Sequence, residues 1–289
     1  MIVKKPMYAF MLVIVVFGIT SCSTKLAYNN LDWLASWYVD DYVNLTDRQE
    51  NEFDTKLDAL LLWHRDIELK NYIFQIKTIQ ADINKGITSS DIENHVNSIK
   101  YFLKVVLNKV EPDIVSLAYS LSDKQAGSFL VEFEQQNIDK IENFEEQSKV
   151  RRTEKRLENF TEQLTSFTGK LSVHQKMLLN DGNEQLLSSF KERIKFRRQW
   201  ADSIRKAYVI RARSLGDTDK KKKAFELAFQ KLILQSNSLR SAEYLKILEY
   251  NQKIRINTLY QIITLLDERQ LKSLNVKLNE TIEDLEALL

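Results

Sequence analysis

The chain has 289 residues and is nearly neutral, with 42 basic and 40 acidic side chains, so its charge gives no indication of nucleic-acid binding. It contains only six glycines and two prolines, whereas these residues make up roughly 12% of an average chain. Because turns between strands depend on glycine and proline, this composition excludes a sheet protein and predicts an all-α bundle of long helices.

The N-terminus has the features of a secretory signal peptide. Lys4 and Lys5 precede a mostly apolar run from Met7 to Ile19, which at about 13 residues is too short to span a bilayer as a helix. The run leads into Ile19-Thr20-Ser21-Cys22, which resembles the lipobox of bacterial lipoproteins. Cys22 is also the only cysteine in the chain. We therefore expect cleavage before Cys22 and attachment of lipid, palmitate included, to its thiol.

The alternative is an uncleaved signal anchor in which Cys22 is incidental. Ser23 follows the cysteine, at the position where an Asp would resemble the inner-membrane retention signal of enteric bacteria. Its absence favours the outer membrane, with the protein facing the periplasm. An acylated Cys22 leaves no thiol for an internal disulfide, so packing alone must hold the fold.

Capping residues and apolar periodicity predict the first helices. A short aromatic helix from Leu31 to Val43 precedes a long helix that opens at Thr46 and ends at Gly86. The predicted apolar stripe of the long helix consists of Phe53, Leu57, Leu60, His64 and Ile67.

Ser90-Asp91-Ile92-Glu93 reads as a capping box for the next helix, in which Pro112 predicts a kink or a break. Ser122 opens a helix that continues to Thr168, with Gly169 as its stop.

Ser172 opens a further helix, for which Asn180-Asp181-Gly182 is a candidate interruption. The turn Gly216-Asp217-Thr218 separates it from a long helix that reaches about Leu265, and Asp267 opens the last helix.

Four of these starts share one pattern: a Leu, a capping Ser, Thr or Asp, and a Gln three positions after the cap. The predicted caps are Thr46, Ser122, Ser172 and Asp267. In such a box the cap side chain accepts from the amide of the third helical residue, and the Gln reaches back to the amide of the cap.

The order of these features predicts two similar helical halves that arose by internal duplication. We divide the chain into the signal peptide (1–21), the lipidated N-terminus with the aromatic helix (22–44), the first half (45–170) and the second half (171–289). Each half carries a Trp beside basic residues, in Trp63-His64-Arg65 and in Arg197-Arg198-Gln199-Trp200, and both sets are candidate binding residues. Recurrence of capping boxes without common ancestry is the alternative.

These motifs resemble a family of all-helical Gram-negative lipoproteins of unknown function. The residues that carry the resemblance are Tyr28 to Leu34, Asp41-Tyr42, Leu45 to Gln49 and Trp63 to Arg65. The resemblance extends over essentially the whole mature chain, implies an all-helical envelope protein and brings no established activity. Relatives often have Pro after Glu-Leu, whereas this chain has Lys70.

The Leu-Ser/Thr-x-x-Gln pattern also resembles small periplasmic stress proteins, which include an ATP-independent chaperone that cradles unfolded clients. Those proteins are shorter and generally carry no lipid. Because a capping box explains the pattern by itself, this second resemblance is the weaker of the two.

Three histidines are the first candidates for chemistry. His64 lies on the apolar stripe, and we interpret it as a buried structural histidine held by a carboxylate or a carbonyl. The alternative is a binding role shared with Trp63 and Arg65. His95 and His174 have no motif around them and are predicted to lie on the surface. Because no His-Glu-x-x-His or Glu-x-x-His pair is present, we expect no metal and no cofactor.

The chain also lacks a glycine-rich phosphate loop and a Gly-x-Ser-x-Gly elbow, so we expect no enzyme and identify no small-molecule substrate.

Charge is unevenly distributed: residues 191–213 and 220–223 are mainly basic, and residues 32–58 and 132–146 are mainly acidic. One interpretation is a basic face for anionic lipid, polysaccharide or an acidic partner, and the other is pairing between helices of one bundle.

Two arginines, Arg197 and Arg211, fall on the apolar stripe of their helix. An unpaired buried charge is very costly, so each needs a buried acid or a ligand, and we favour an acid of the same chain.

The aromatic side chains between Tyr28 and Tyr42 are compatible with burial in a membrane interface or with docking onto the bundle. The interspersed Asp32, Asp40 and Asp41 favour docking.

Taken together, these features predict a membrane-anchored periplasmic lipoprotein that binds an envelope protein partner. The alternative is a chaperone-like holder of unfolded envelope proteins, and a hydrolase or metalloprotein comes third.

Overall fold

A computed structural model describes residues 28–213 and 218–289, and every regular element in these ranges is helical. The all-α prediction is confirmed, whereas the predicted signal peptide and Cys22 lie outside the described residues. The helices are α1 (Leu31–Asp40), α2 (Asp47–Trp63), α3 (Leu69–Lys85), α4 (Ser89–Ser120), α5 (Asp123–Glu145), α6 (Lys149–Thr168), α7 (Val173–Gln185), α8 (Phe190–Arg213), α9 (Thr218–Leu234), α10 (Ala242–Thr264) and α11 (Glu268–Glu286). A π-helical turn, His64–Glu68, joins α2 to α3, and a 3₁₀ turn, Ser236–Leu239, precedes α10.

The long helix α4 differs from its prediction at two places. Its cap is Thr88, whose side chain accepts from the amide of Asp91, so the predicted box at Ser90 was placed two residues late. The helix also passes through Pro112 without a break. Because Val106 and Val115 are buried on either side of Pro112, packing on both sides offsets the hydrogen bond that the proline removes.

Two helices predicted as continuous are broken where no glycine or proline marks the sequence. The helix from Ser122 ends at Glu145, and Ser148 caps a new one by accepting from the amide of Arg151. The helix predicted to reach Leu265 is likewise broken before Ser241, which caps α10. In both cases a serine cap satisfies the new helix start, so the chain turns without a special backbone conformation.

The helix that opens at Ser172 is interrupted later than the candidate Asn180-Asp181-Gly182, because α7 continues through these residues to Gln185 and α8 begins at Phe190. Gly182 instead permits a close approach of α7 to α10: a Cβ there would lie 2.1 Å from Thr258 Oγ1 and 3.0 Å from Thr258 Cβ.

All four predicted capping boxes form, at Thr46, Ser122, Ser172 and Asp267. Their glutamines also meet in two pairs, Gln49 with Gln125 and Gln175 with Gln270. Each amide nitrogen donates to the carbonyl two residues before the partner's cap, at distances of 2.8–3.1 Å. Within each pair the two side-chain amides lie 2.7–2.9 Å apart. Each pair therefore joins two helix N-termini that are distant in the chain.

The core lies along α4 and at the ends of the bundle. The largest buried cluster packs α4 against α8 and α9 through Val115, Ala118, Ile204, Ala207, Phe225, Phe229 and Leu232. A second cluster joins both ends of the described chain, because Tyr28 and Leu288 pack on Leu69 and Tyr72. Smaller clusters join α4 to α10 and α7 to α10.

We predict that Gly182→Ala lowers the free energy of unfolding by about 1–3 kcal/mol, because the added methyl overlaps Thr258. Gly127→Ala is the matched control in α5, where a Cβ meets nothing within 4 Å, and should raise stability by about 0.5–1 kcal/mol through helix propensity. Urea denaturation of both variants measures the two effects, and a change of the same sign in both would contradict the close approach.

We predict that Gln175→Ala costs about 2–3 kcal/mol, since it leaves the Ser172 amide, the Leu265 carbonyl and the Gln270 amide without their partner. Gln135→Ala, at an exposed glutamine of α5, should change stability by less than about 0.5 kcal/mol. In a double-mutant cycle, Gln175→Ala and Gln270→Ala should cost less together than the sum of the two. Strict additivity would show that the amides do not interact.

Candidate functional site

His64 lies in the π-helical turn between two tyrosine hydroxyls. Its Nδ1 is 3.0 Å from Tyr28 Oη, and its Nε2 is 3.2 Å from Tyr72 Oη. A neutral imidazole donates from one nitrogen and accepts at the other, so it can bond to both hydroxyls. Burial lowers the pKa of His64 to about 4, which keeps the ring neutral at pH 7. The partners are tyrosines, so the carboxylate or carbonyl predicted for this histidine was wrong.

The π-helical turn also changes which residues face the core. A π turn contains more residues than an α turn and shifts the register of the helix that follows. Glu68 is consequently buried, with 3% of its surface exposed, whereas Ile67 is 51% exposed. Burial raises the pKa of Glu68, whose Oε2 has no hydrogen-bond partner in the described part of the chain. The prediction of Ile67 on the apolar stripe was therefore wrong.

Trp63 and Arg65 lie beside His64 and complete the first predicted set. The Arg65 guanidinium lies 5.6 Å from the centre of the Tyr28 ring, and Lys109 Nζ lies 5.6 Å from that of Trp63. Arg65 Nε is buried and makes no hydrogen bond to any described residue. The structure thus assembles Trp63, His64 and Arg65 around Tyr28, which follows the predicted lipid site by six residues.

His174 is exposed, as predicted, but the surface position predicted for His95 was wrong. Only 9% of His95 is exposed; its Nδ1 is 2.8 Å from Gln75 Nε2, and its Nε2 is 3.2 Å from Asp82 Oδ2. Both partners lie on α3, across the helix pair from α4, so no local motif around His95 marks them.

Arg197, in the second predicted set, is buried on α8, with 7% of its surface exposed. Its Nε donates to Asn137 Oδ1, and its guanidinium carbon lies 4.1 Å from the centre of the Phe133 ring. Nη2 is buried without a hydrogen-bond partner among the described residues. The direct partner of Arg197 is therefore an amide, and the acid predicted for it was wrong.

Two further cations lie close to Arg197. Burial and the charge of Arg197 both lower the pKa of Lys140, on α5, and of Arg193, one turn earlier on α8. None of the three forms an ion pair with a described residue. The structure therefore gathers three cations, which we name the α8 cluster: Lys140, Arg193 and Arg197.

Arg198 and Trp200 have structural partners nearby. Glu134 Oε1 accepts from Arg198 Nε at 3.0 Å and from Nη2 at 2.7 Å, while Glu134 Oε2 accepts from Asn137 Nδ2 at 3.0 Å. Glu134 makes no hydrogen bond to Arg197, but its pKa is lowered by the hydrogen bond from Arg198 and also by the charge of Arg197. The Trp200 ring packs against the Phe133 ring, with 5.3 Å between their centres.

The acid predicted for Arg211 is confirmed. Its Nη2 donates to Asp123 Oδ1 at 2.5 Å, and its Nη1 donates to the carbonyls of Tyr119 and Leu121 at 2.8 and 2.5 Å. Together with Glu134–Arg198, this contact shows that charges on α5 and α8 pair between the helices, except at the α8 cluster.

The aromatic helix α1 divides into two faces. Tyr42 Oη donates to Gln136 Oε1 at 2.5 Å and lies 2.7 Å from Tyr38 Oη, so the tyrosines dock onto the bundle as predicted. Trp33 and Trp37 stack on each other and are 63% and 48% exposed, so the docking predicted for these two was wrong.

Within residues 28–213 and 218–289, no helix combines the length and the apolar composition needed to cross a membrane. In the same ranges, no three His, Cys, Asp or Glu residues lie close enough to hold a metal ion.

We predict that the protein loses stability as the pH falls from 6.5 towards 4. In this range the unfolded chain protonates His64 at its ordinary pKa of 6.5, whereas the folded chain does not until about pH 4. His64→Gln removes this titration and should lose less free energy of unfolding between pH 7 and pH 5 in urea denaturation. His174→Gln, at the exposed histidine, should behave like the wild type. Equal losses in all three proteins would contradict a buried neutral imidazole.

A family of unknown function, DUF6279, matches residues 41–245. This range contains both predicted sets of site residues but excludes α11, so it is shorter than the resemblance to the whole mature chain predicted. No curated protein and no solved structure matches the chain. Because the matched range covers well over half of its residues, the chain belongs to the family of unknown function DUF6279.

Proposed function

We propose that this protein is a lipid-anchored lipoprotein of the cell envelope that acts by binding an acidic protein partner, not by catalysis. The signal-peptide features of residues 1–21 and the lipobox-like Ile19-Thr20-Ser21-Cys22 support the anchor, and Ser23 favours the outer membrane, facing the periplasm. Tyr28 is 6% exposed and packs with Leu69 and Leu288, so the chain is held to the bundle soon after the anchor.

The α8 cluster is the observation that carries the binding proposal. Burial and the charge of Arg197 lower the pKa of Lys140 and of Arg193, and none of the three cations forms an ion pair with a described carboxylate. Like charges held beside one another raise the free energy of the unbound protein. A carboxylate from a partner would reduce the repulsion. One side of Arg193 is packed against the bundle, which lowers its pKa, but enough of its side chain is exposed to offer such a group a point of contact.

The surroundings of the cluster favour an acidic protein surface. Along α8, Lys191, Arg198, Arg205 and Lys206 are also exposed. Some of these side chains form ion pairs within the chain, for example Arg205 with Asp202. The positive charge without an ion pair is therefore concentrated at the cluster. A localised excess of this kind steers and orients one partner.

A holder of unfolded proteins is the second candidate. Exposed apolar side chains on successive helices favour it: Val131, Val150 and Val173 are 73%, 66% and 77% exposed. The recurring Leu-Ser/Thr-x-x-Gln pattern adds nothing to this candidate, because the amides of Gln49, Gln125, Gln175 and Gln270 are all engaged within the bundle.

We predict that a photocrosslinking residue at Lys191 captures one stoichiometric envelope partner in living cells. Arg193→Glu should reduce this adduct at least about tenfold, because it places a carboxylate where the partner's acid binds. Lys272→Glu, at an exposed lysine of α11, is the matched control and should leave the adduct unchanged.

Two outcomes would overturn the proposal. A broad scatter of captured envelope proteins, insensitive to Arg193→Glu, would favour the holder. Failure of the wild type to incorporate labelled palmitate, with Cys22→Ser as the blank, would contradict the lipid anchor.

A further inference from the structure

A groove between α3 and α4 differs in composition from the rest of the protein. Its volume is about 510 Å³, and it is open to solvent along its length. None of its lining residues is charged, although charged residues make up 28% of the chain. The lining consists of amide side chains, a serine hydroxyl and aromatic rings, one of which belongs to a tyrosine.

Two helical stripes form the walls of the groove. Asn71, Phe74 and Gln75 lie on α3 at the spacing of one helix face, and Asn94, Asn97, Ser98 and Tyr101 do so on α4. The wall on α4 from Asn94 to Tyr101 is about 10 Å long at 1.5 Å per residue. The groove is thus long enough for an extended ligand of more than one small ring.

Buried contacts orient the amide of Gln75. Its Nε2 is 2.8 Å from His95 Nδ1, and Asp82 Oδ2 lies 3.2 Å from the other ring nitrogen. Because an amide nitrogen only donates, His95 Nδ1 accepts from Gln75 Nε2, and the Gln75 carbonyl oxygen makes no hydrogen bond to a described residue. The side chains of Asn94 and Asn97 make no hydrogen bond to a described residue. The groove therefore offers both donors and acceptors.

Aromatic rings supply the apolar surfaces. Phe74 is 72% exposed and Tyr101 is 63% exposed, one on each wall. Phe102 also lines the groove and packs against Tyr72, with 5.0 Å between the ring centres. Exposed rings flanking uncharged amides suit a ligand that has apolar faces as well as hydrogen-bonding edges.

We propose that this groove binds an uncharged oligosaccharide. Sugar hydroxyls donate and accept hydrogen bonds, as the amides do, and the C–H faces of sugar rings pack on the electron-rich faces of Phe74 and Tyr101. A charged ligand would leave its charge without a counter-ion in a groove of this composition. The site is separate from the α8 cluster, so it does not depend on the proposed protein partner.

The test is calorimetric titration of the full chain, purified in a detergent without a sugar headgroup, with a soluble tetramer of N-acetylglucosamine. We expect saturable binding that Phe74→Ala and Tyr101→Ala each weaken by about two- to tenfold. Both side chains are mostly exposed, so neither change should lower the melting temperature. Trp33→Ala removes an equally exposed ring outside the groove and should leave binding unchanged.

Three results would overturn the proposal. The first is absence of saturable binding of the tetramer by the wild type. The second is equal loss of binding in Trp33→Ala and Tyr101→Ala, which would indicate contact with any exposed ring. The third is binding of an uncharged extended peptide, but not of the tetramer, which would assign the groove to peptides.

Discussion

The two glutamine pairs are the constraint on which the rest of the structure depends. Every helix N-terminus leaves amide groups without a partner inside the helix, and here four N-termini meet in two places. A glutamine side chain both accepts and donates, so one residue satisfies its own cap and also bonds across to the partner helix. The pair Gln49–Gln125 therefore fixes the starts of α2 and α5, and Gln175–Gln270 fixes those of α7 and α11. The remaining helices pack around these fixed starts.

Some polar groups elsewhere in the bundle are less completely satisfied, and three of them lie at the candidate sites. Glu68 Oε2, Arg65 Nε and Arg197 Nη2 are buried without a hydrogen-bond partner in the described residues, in contrast to the four cap glutamines. Natural proteins commonly break local rules at functional positions and compensate elsewhere. This contrast supports a functional role for the π-helical turn and the α8 cluster. Their sequence motifs alone do not indicate such a role.

Local signals in the sequence predict the helix content, the four capping boxes and the Gly86 and Gly169 stops. What they miss depends on distant contacts. The pairing of Gln175 with Gln270 joins residues 95 positions apart, and His95 finds its partners on another helix. The π-helical turn shifts Glu68 inward because of packing, and a constant 3.6-residue period cannot show this. Both cap pairs have the same hydrogen-bond pattern, but α2 and α7 continue differently, so common ancestry of the two halves stays a prediction.

The α8 cluster and the α3–α4 groove differ in chemistry, so one ligand does not suit both. At the α8 cluster, repulsion between Lys140, Arg193 and Arg197 raises the free energy of the unbound state, so binding an acid is favoured by relief of that repulsion. In the α3–α4 groove there is no such charge, and binding must come from amide hydrogen bonds and from rings such as Tyr101 that stack on the ligand. Salt weakens the first kind of contact strongly and the second hardly at all. Because the two surfaces lie on different helices, occupation of one does not exclude occupation of the other, so the two binding proposals are compatible in one molecule.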